Sequence, residues 1–342
     1  MTSDKRQATS DKYDYSISAI RFIAMLMIIT CHFMQYLGME SAWWFNVGVQ
    51  VFFVISGFLY GKKTIEQPLE FYKKSFSKIL IPYWAFLLIA VIVQRIFVPD
   101  MFSWGKTFMA FLCLDRLPGL EHLWFVQTIL ICYLILPLLL ALKNELLNKT
   151  TLKAILGVIF VFLMIQFVGF SFKGYSMAPN RVTCFAVGIF FAGIVQRKKS
   201  LFKLTIVLTA LAVFSNLVRV FLRYIKGIPL KQSQLLDLFT EYAHGLLGIS
   251  LFLVLYLVFK RAKECKLLKL SDEYSYCIYL VHQVFILGPL SLMTITNNTV
   301  LSIAIISVLI IIAGVLLKIL SYKVFAAIEI INRRLIRKQE TQ

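Results

Sequence analysis

Residues 16–61 read SISAIRFIAMLMIITCHFMQYLGMESAWWFNVGVQVFFVISGFLYG, and the reading of this stretch decides the fold. Two apolar runs, each of membrane-crossing length, are joined by a short aromatic hairpin. The first run carries one arginine and one histidine, Arg21 and His32, eleven positions apart. At about 100° per residue, eleven steps end about 20° from the starting direction, so both side chains project from one helix face, about 16 Å apart along the axis. Arg21 then lies about one turn inside the helix and His32 near mid-membrane. Ionisable groups at that depth are costly and usually face a cavity or a partner, which makes them functional candidates. The same spacing also suits an arginine that snorkels to the headgroups and a histidine that bonds a neighbouring helix.

The rest of the chain extends this pattern. Its 342 residues are 59% hydrophobic, and the mean hydropathy of +0.79 excludes an ordinary water-soluble domain. Apolar runs recur over 16–37, 43–61, 80–98, 123–142, 152–172, 182–196, 204–222, 241–259, 274–293 and 300–320. They predict an all-α, polytopic integral membrane protein of about ten transmembrane helices. The tail to Tyr15 is polar and the first run is too long for a signal peptide, so no cleavable leader is expected.

The formal charge of +19 suggests nucleic acid until its placement is read. Of the 36 Lys and Arg residues, 25 fall on one set of alternate loops and 7 on the other. That asymmetry predicts both termini in the cytoplasm, with no nucleic-acid partner. The expected organisation is a cytoplasmic tail over 1–15, one ten-helix membrane unit over 16–322, and a basic cytoplasmic tail over 323–342. Six scattered cysteines with no CxxC pair point to neither a disulfide framework nor a metal site.

Other polar groups stand out against this apolar background. Gly48 and Gly57 in the second run allow close helix approach, while Gln50 and Ser56 could face a shared polar cavity. The following loop carries Lys74 and Lys78 at i,i+4, with Phe71 and Tyr72 nearby and Pro82 opening the third run. Cations interleaved with aromatics suit a nucleotide-bearing anion, although a topology-setting charge run has the same composition. Glu121 and His122 open the fourth run, where a carboxylate and an imidazole could bind a polar acceptor or simply anchor the interface. Tyr276, Tyr279 and His282 share a face of the ninth run, and His244 reads as a satisfied interhelical histidine.

Four stretches together, Arg21-x10-His32, GVQVFFVISGFL, HLWFV and SYCIYLVHQ, resemble the acyltransferase 3 family, in the same order and over nearly the whole chain. The resemblance implies a bacterial, multi-pass protein of the cytoplasmic membrane. It would use acyl-CoA, commonly acetyl-CoA, as co-substrate to esterify a hydroxyl on a cell-surface or lipid-linked glycan, with polysaccharide-biosynthesis proteins as possible partners. It also implies that Arg21 and His32 are essential. The chain departs from the family in having Gln50 where many members have an acidic residue, and Ser75 where an arginine is common.

On this reading His32 is the general base for the acceptor hydroxyl, or carries the acyl group itself. Arg21, Lys74 and Lys78 bind the donor phosphates, and Gln50, Ser56, Glu121, His122 and His282 are substrate-binding candidates. The competing class is a polysaccharide exporter or a sensor on the same fold. A transport path would spread polar groups over many spans, whereas here the deep ones concentrate in the first two.

Overall fold

The first helix, α1 (Tyr15–Tyr36), runs for 22 residues without glycine or proline. It stops where Gly38 turns the backbone left-handed at φ 69°. The computed structural model describes residues 13–148, 152–171, 179–197, 199–228 and 234–340, with 153–154, 168–171 and 331–340 in backbone only. Lys5, Arg6, Lys12, Lys149, Lys173, Lys198 and Lys231 of the charge count lie outside the described residues. Among the described residues, 82% are helical and none is in a strand. Every backbone ladder is therefore local, as a bilayer interior requires.

After a single turn, α2 (Ala42–Phe45), come α3 (Gly48–Gly61) and α4 (Pro68–Phe97). The sequence expectation places Pro82 at the start of the third span. Instead α4 starts almost four turns earlier, at Pro68 after an extended Gln67, and carries Pro82 in its interior. Lys74 and Lys78 are thus on the helix itself. A short α5 (Trp104–Phe111) and a 3₁₀ turn at Glu121–Leu123 lead into α6 (Trp124–Leu134). The single fourth span of the sequence reading is broken. α6 and α7 (Leu136–Asn148) meet at 53°, where Pro137 cannot donate to the preceding turn.

Then follow α8 (Leu152–Ser171), α9 (Pro179–Gln196), α10 (Phe202–Val220, closed by a π turn at Phe221–Ile225) and α11 (Gln234–Phe259). The last two are α12 (Lys266–Ile286) and α13 (Thr299–Glu340). α12 is displaced from the expected 274–293. It begins after the extended Cys265 and ends at the extended Leu287, beside Gly288 at φ 82°.

Among the described residues, six helices are long and apolar enough to cross a membrane, or seven if the bent α6–α7 pair is one span. α8, α9 and α12 occupy the remaining expected positions. α12 carries Lys266, Lys269, Asp272 and Glu273 in its first turns, so its apolar stretch is short.

Packing sets the site's position. α1 lies against α2, α3, α11 and α12, and α3 packs most closely on α9. A side chain at Gly57 would collide with the Phe185 carbonyl, and one at Gly188 with the Val54 carbonyl, so these two helices cross backbone to backbone. One buried core joins α1, α3, α6, α9 and α11 around Phe53, Phe58, Phe185 and Phe252. A second joins α4, α12 and α13 around Tyr83, Leu280 and Ile310. The polar groups of α1 fall on the seam between them.

Candidate functional site

A cavity of about 670 Å³ opens along that seam. Lys63, Lys78 and Lys318 line it at the end formed by the close of α3 and the start of α4. Ile28, Val49, Phe125 and Tyr279 line it deeper in. Arg21 stands between, and Ser56 and the buried Ser75 also face the space. The lining holds four cations (Arg21, Lys63, Lys78, Lys318) against two carboxylates (Asp272, Glu273), so it favours an anion.

Arg21 is ion-paired with Asp272 of α12. The second oxygen of Asp272 accepts a hydrogen bond from the Tyr13 hydroxyl at 2.7 Å, and that hydroxyl is also 2.8 Å from Ser18 Oγ. Nothing on α12 aims Asp272 at Arg21 except the earlier start of the helix, which places the carboxylate on the first turns instead of in a loop.

One turn beyond Ile28, about 6 Å along α1, three histidines converge. His32 Nδ1 lies 3.2 Å from His282 Nε2, with the rings nearly parallel, and His282 Nδ1 lies 2.6 Å from the Tyr279 carbonyl. A carbonyl can only accept, so Nδ1 of His282 carries the proton. In a neutral ring its Nε2 is then the acceptor, and His32 must donate from Nδ1. The chain of bonds leaves His32 Nε2 unprotonated, with its lone pair directed away from the partner. His122 packs edge-on to His282 at 5.3 Å between ring centres and donates from Nε2 to the Leu280 carbonyl at 2.9 Å. Its Nδ1 is buried without a partner. The Tyr279 hydroxyl donates to the His122 carbonyl at 2.6 Å, tying the 3₁₀ turn to α12. His122 and His282 are closed off, at 3% and 0% exposure, whereas His32 is half-buried. Of the three, only His32 is partly exposed.

The structure thus brings His32, His122 and His282 together, and places Arg21, Lys78 and Ser56 on the neighbouring cavity. Three expected site residues lie elsewhere. Gln50 is buried away from the cavity and donates to His244 Nδ1 at 2.9 Å, because α3 turns that face to α11. Lys74 is exposed and does not line the cavity: it shares Lys78's face but sits one turn, about 6 Å, nearer the start of α4. Glu121 is exposed and accepts from the Gly119 amide at 3.0 Å, so the 3₁₀ turn directs it outward while His122 points in. His244 is satisfied between helices, as expected, by Gln50 and by the Trp43 carbonyl at 3.1 Å.

Asp272, Lys63 and Lys318 were missed. A signal existed for Lys318, a lone cation inside an otherwise aliphatic run. Asp272 has none, because the apolar run over 274–293 starts after it.

Comparison with known proteins gives one match. The family model for the acyltransferase domain, Acyl_transf_3, covers residues 14–319. No curated protein and no solved structure matches.

Proposed function

The chain belongs to the acyltransferase 3 family, and from that premise we propose that it transfers an acyl group, in the first instance acetyl, from acyl-CoA to a hydroxyl of a cell-surface glycan. The observation that carries the reading is the cationic cavity running along α1 towards a histidine whose free nitrogen is fixed as a base.

The donor's phosphates are taken by Lys63, Lys78 and Lys318, with Arg21 offering two parallel N–H groups to a phosphate. The pantetheine arm then follows the apolar part of the cavity past Ile28 and Phe125. From Arg21 to the level of His32 is about 16 Å along the helix, a distance suited to an extended chain.

His32 Nε2 removes the acceptor's O–H proton as that oxygen bonds to the thioester carbon. The tetrahedral adduct collapses with cleavage of the C–S bond, and the departing thiolate takes the proton back from Nε2. While His32 carries both protons, its Nδ1–H points at His282 Nε2, and His282 is itself held by the Tyr279 carbonyl. The positive charge therefore develops against an oriented acceptor.

Purified protein incubated with labelled acetyl-CoA and extracted envelope glycan should transfer label to an ester on the glycan. His32→Ala should lose about 10²–10⁴ in rate, the usual worth of a general base, with acetyl-CoA binding retained. Transfer at the normal rate by folded His32→Ala protein would refute the mechanism.

A further inference from the structure

Near the histidines lies a second polar cluster, built on α3, α9, α10 and α11. Ten buried side-chain atoms among the described residues have no hydrogen-bond partner, and six of them are here. They are Gln50 Oε1, Asn180 Oδ1, Arg181 Nε, Asn216 Oδ1, Arg219 Nε and Thr240 Oγ1.

The three amides are not simply loose. Asn180 Nδ2 donates to the Glu241 carbonyl at 2.9 Å and Asn216 Nδ2 to the Ala243 carbonyl at 3.1 Å. His244 Nε2 faces the Trp43 carbonyl and must donate to it, so its Nδ1 accepts from Gln50 Nε2. Each amide is held by its nitrogen and presents a bare oxygen. Gln50, Asn180 and Asn216 are 1%, 1% and 4% exposed, so bulk water does not satisfy those oxygens.

The arginines complement them. Arg181 lies over the Trp124 ring at 3.5 Å and Arg219 over Trp43 at 3.4 Å. Neither forms an ion pair among the described residues. The carboxylate nearest Arg219 in the fold, Glu40, is taken by Arg223 at 3.2 Å and by the Tyr224 hydroxyl at 2.9 Å. Stacking covers a guanidinium's face and leaves its edge N–H groups to donate.

Bare amide oxygens ask for hydroxyl donors, and unpaired guanidinium edges ask for a carboxylate or phosphate. We propose that this cluster is the acceptor-binding site and that the acceptor is an anionic carbohydrate, its hydroxyls held by Gln50, Asn180 and Asn216 and its acidic group by Arg181 and Arg219. As the acceptor's site, the cluster rests on the acyl-transfer reading. As a binding site for an acidic sugar it stands alone. Trp124 follows His122 by two residues and carries Arg181 on its ring, so the cluster adjoins the histidines.

The acidic group has two sources, a uronic carboxylate or a glycosyl phosphate. Protein in a polyoxyethylene detergent, free of sugar and phosphate, is titrated with an oligogalacturonide, glucose 1-phosphate and neutral maltotetraose. The readouts are tryptophan emission and melting temperature. One anionic probe should bind, identifying the source, and maltotetraose should bind about tenfold more weakly or not at all. Arg219→Gln should weaken that probe by about tenfold and leave acetyl-CoA binding unchanged. Should that variant misfold, Asn180→Ala serves, with a severalfold loss expected. The proposal falls if neither anionic probe binds, if maltotetraose binds equally, or if the variants bind as the parent does, which is the result for a cluster filled only by ordered water. Acyl transfer is assayed in parallel. A bound anionic probe without transfer removes the activity and keeps the site. Transfer with an unchanged acceptor KM in Arg219→Gln removes the site and keeps the activity.

Discussion

In the proposed mechanism the two ring nitrogens of His32 have different jobs, and the difference is set by a residue that need not touch substrate. His282→Phe keeps an aromatic ring between Tyr279 and His122 but removes the acceptor for His32 Nδ1–H. The free ring can then flip its tautomer, so kcat should fall, by less than in His32→Ala, while KM for acetyl-CoA stays put. Wild-type kcat in folded His282→Phe would show that the pair is only packing.

Arg21 offers the complementary test. It is held by Asp272, a partly exposed ion pair of modest worth. Asp272→Asn should release it to the donor and tighten acetyl-CoA binding about twofold to fivefold. Lys78→Gln should raise KM for acetyl-CoA, and Lys74→Gln should not. Equal effects from the two lysines would mean that overall surface charge, not the cavity, attracts the donor. Arg21 and His32 were legible in the sequence because depth in an apolar run is itself a signal. The partners that define their roles, Asp272 and the His282 tautomer, come from other helices and depend on register, which periodicity does not supply.

Among the elements, the α3–α9 crossing leaves the least room for change. Gly57 and Gly188 each meet the other helix's backbone, where no side-chain rotation can relieve a clash. Gly57→Ala or Gly188→Ala should cost about 1–3 kcal/mol or more and lower the yield of folded protein, measured by fluorescence-detected gel filtration. Full yield with parental melting temperature in both would contradict the packing. The sequence marks Gly57 as a contact point but is silent on its partner across the membrane.

Between α1 and α3, Asp14 joins the start of the one to the end of the other through Lys62 at 3.0 Å. Burial raises this carboxyl's pKa, but hydrogen bonds from Ser16 and Lys62 outweigh it and hold the group below its usual value. Its contribution is therefore present above the ordinary carboxylate range and is lost as pH falls through the lowered value. The breaks and offsets in α4, α6 and α12 were the least legible features, because Pro82 sits inside a helix while Pro137 opens one after a break. Neighbouring helices decide between those outcomes, not the proline.

For the whole molecule, composition carried the helical membrane class, and charge asymmetry carries a proposal of ten crossings with both termini on one side. Reporters fused after Lys63, Lys199 and Lys263 should read one compartment, and reporters at Gly119 and Thr296 the other. Lys63 and Gly119 in the same compartment would remove the arrangement. The polar cluster around His244 was not legible at this scale, since its members come from four separate runs that each look like ordinary span termini.

If the arrangement holds, the two sites face different compartments, and this sidedness can be measured directly. Lys63, Lys78 and Lys318 mark one mouth, while Trp43, Arg219 and Glu40 sit at the hairpin on the opposite end of α1. Acyl-CoA carries several negative charges and does not cross a bilayer unaided. In proteoliposomes with the protein in one known orientation, acetyl-CoA should support transfer only from the Lys63 side, and glycan should be modified only on the Arg219 side. Adding both to the Lys63 compartment should give no product until the vesicles are opened with detergent, which should restore the full rate. Equal product from intact and opened vesicles with both substrates on the lysine side would mean that the acceptor reaches His32 through the donor cavity. The cluster around His244 would then have no part in acceptor binding.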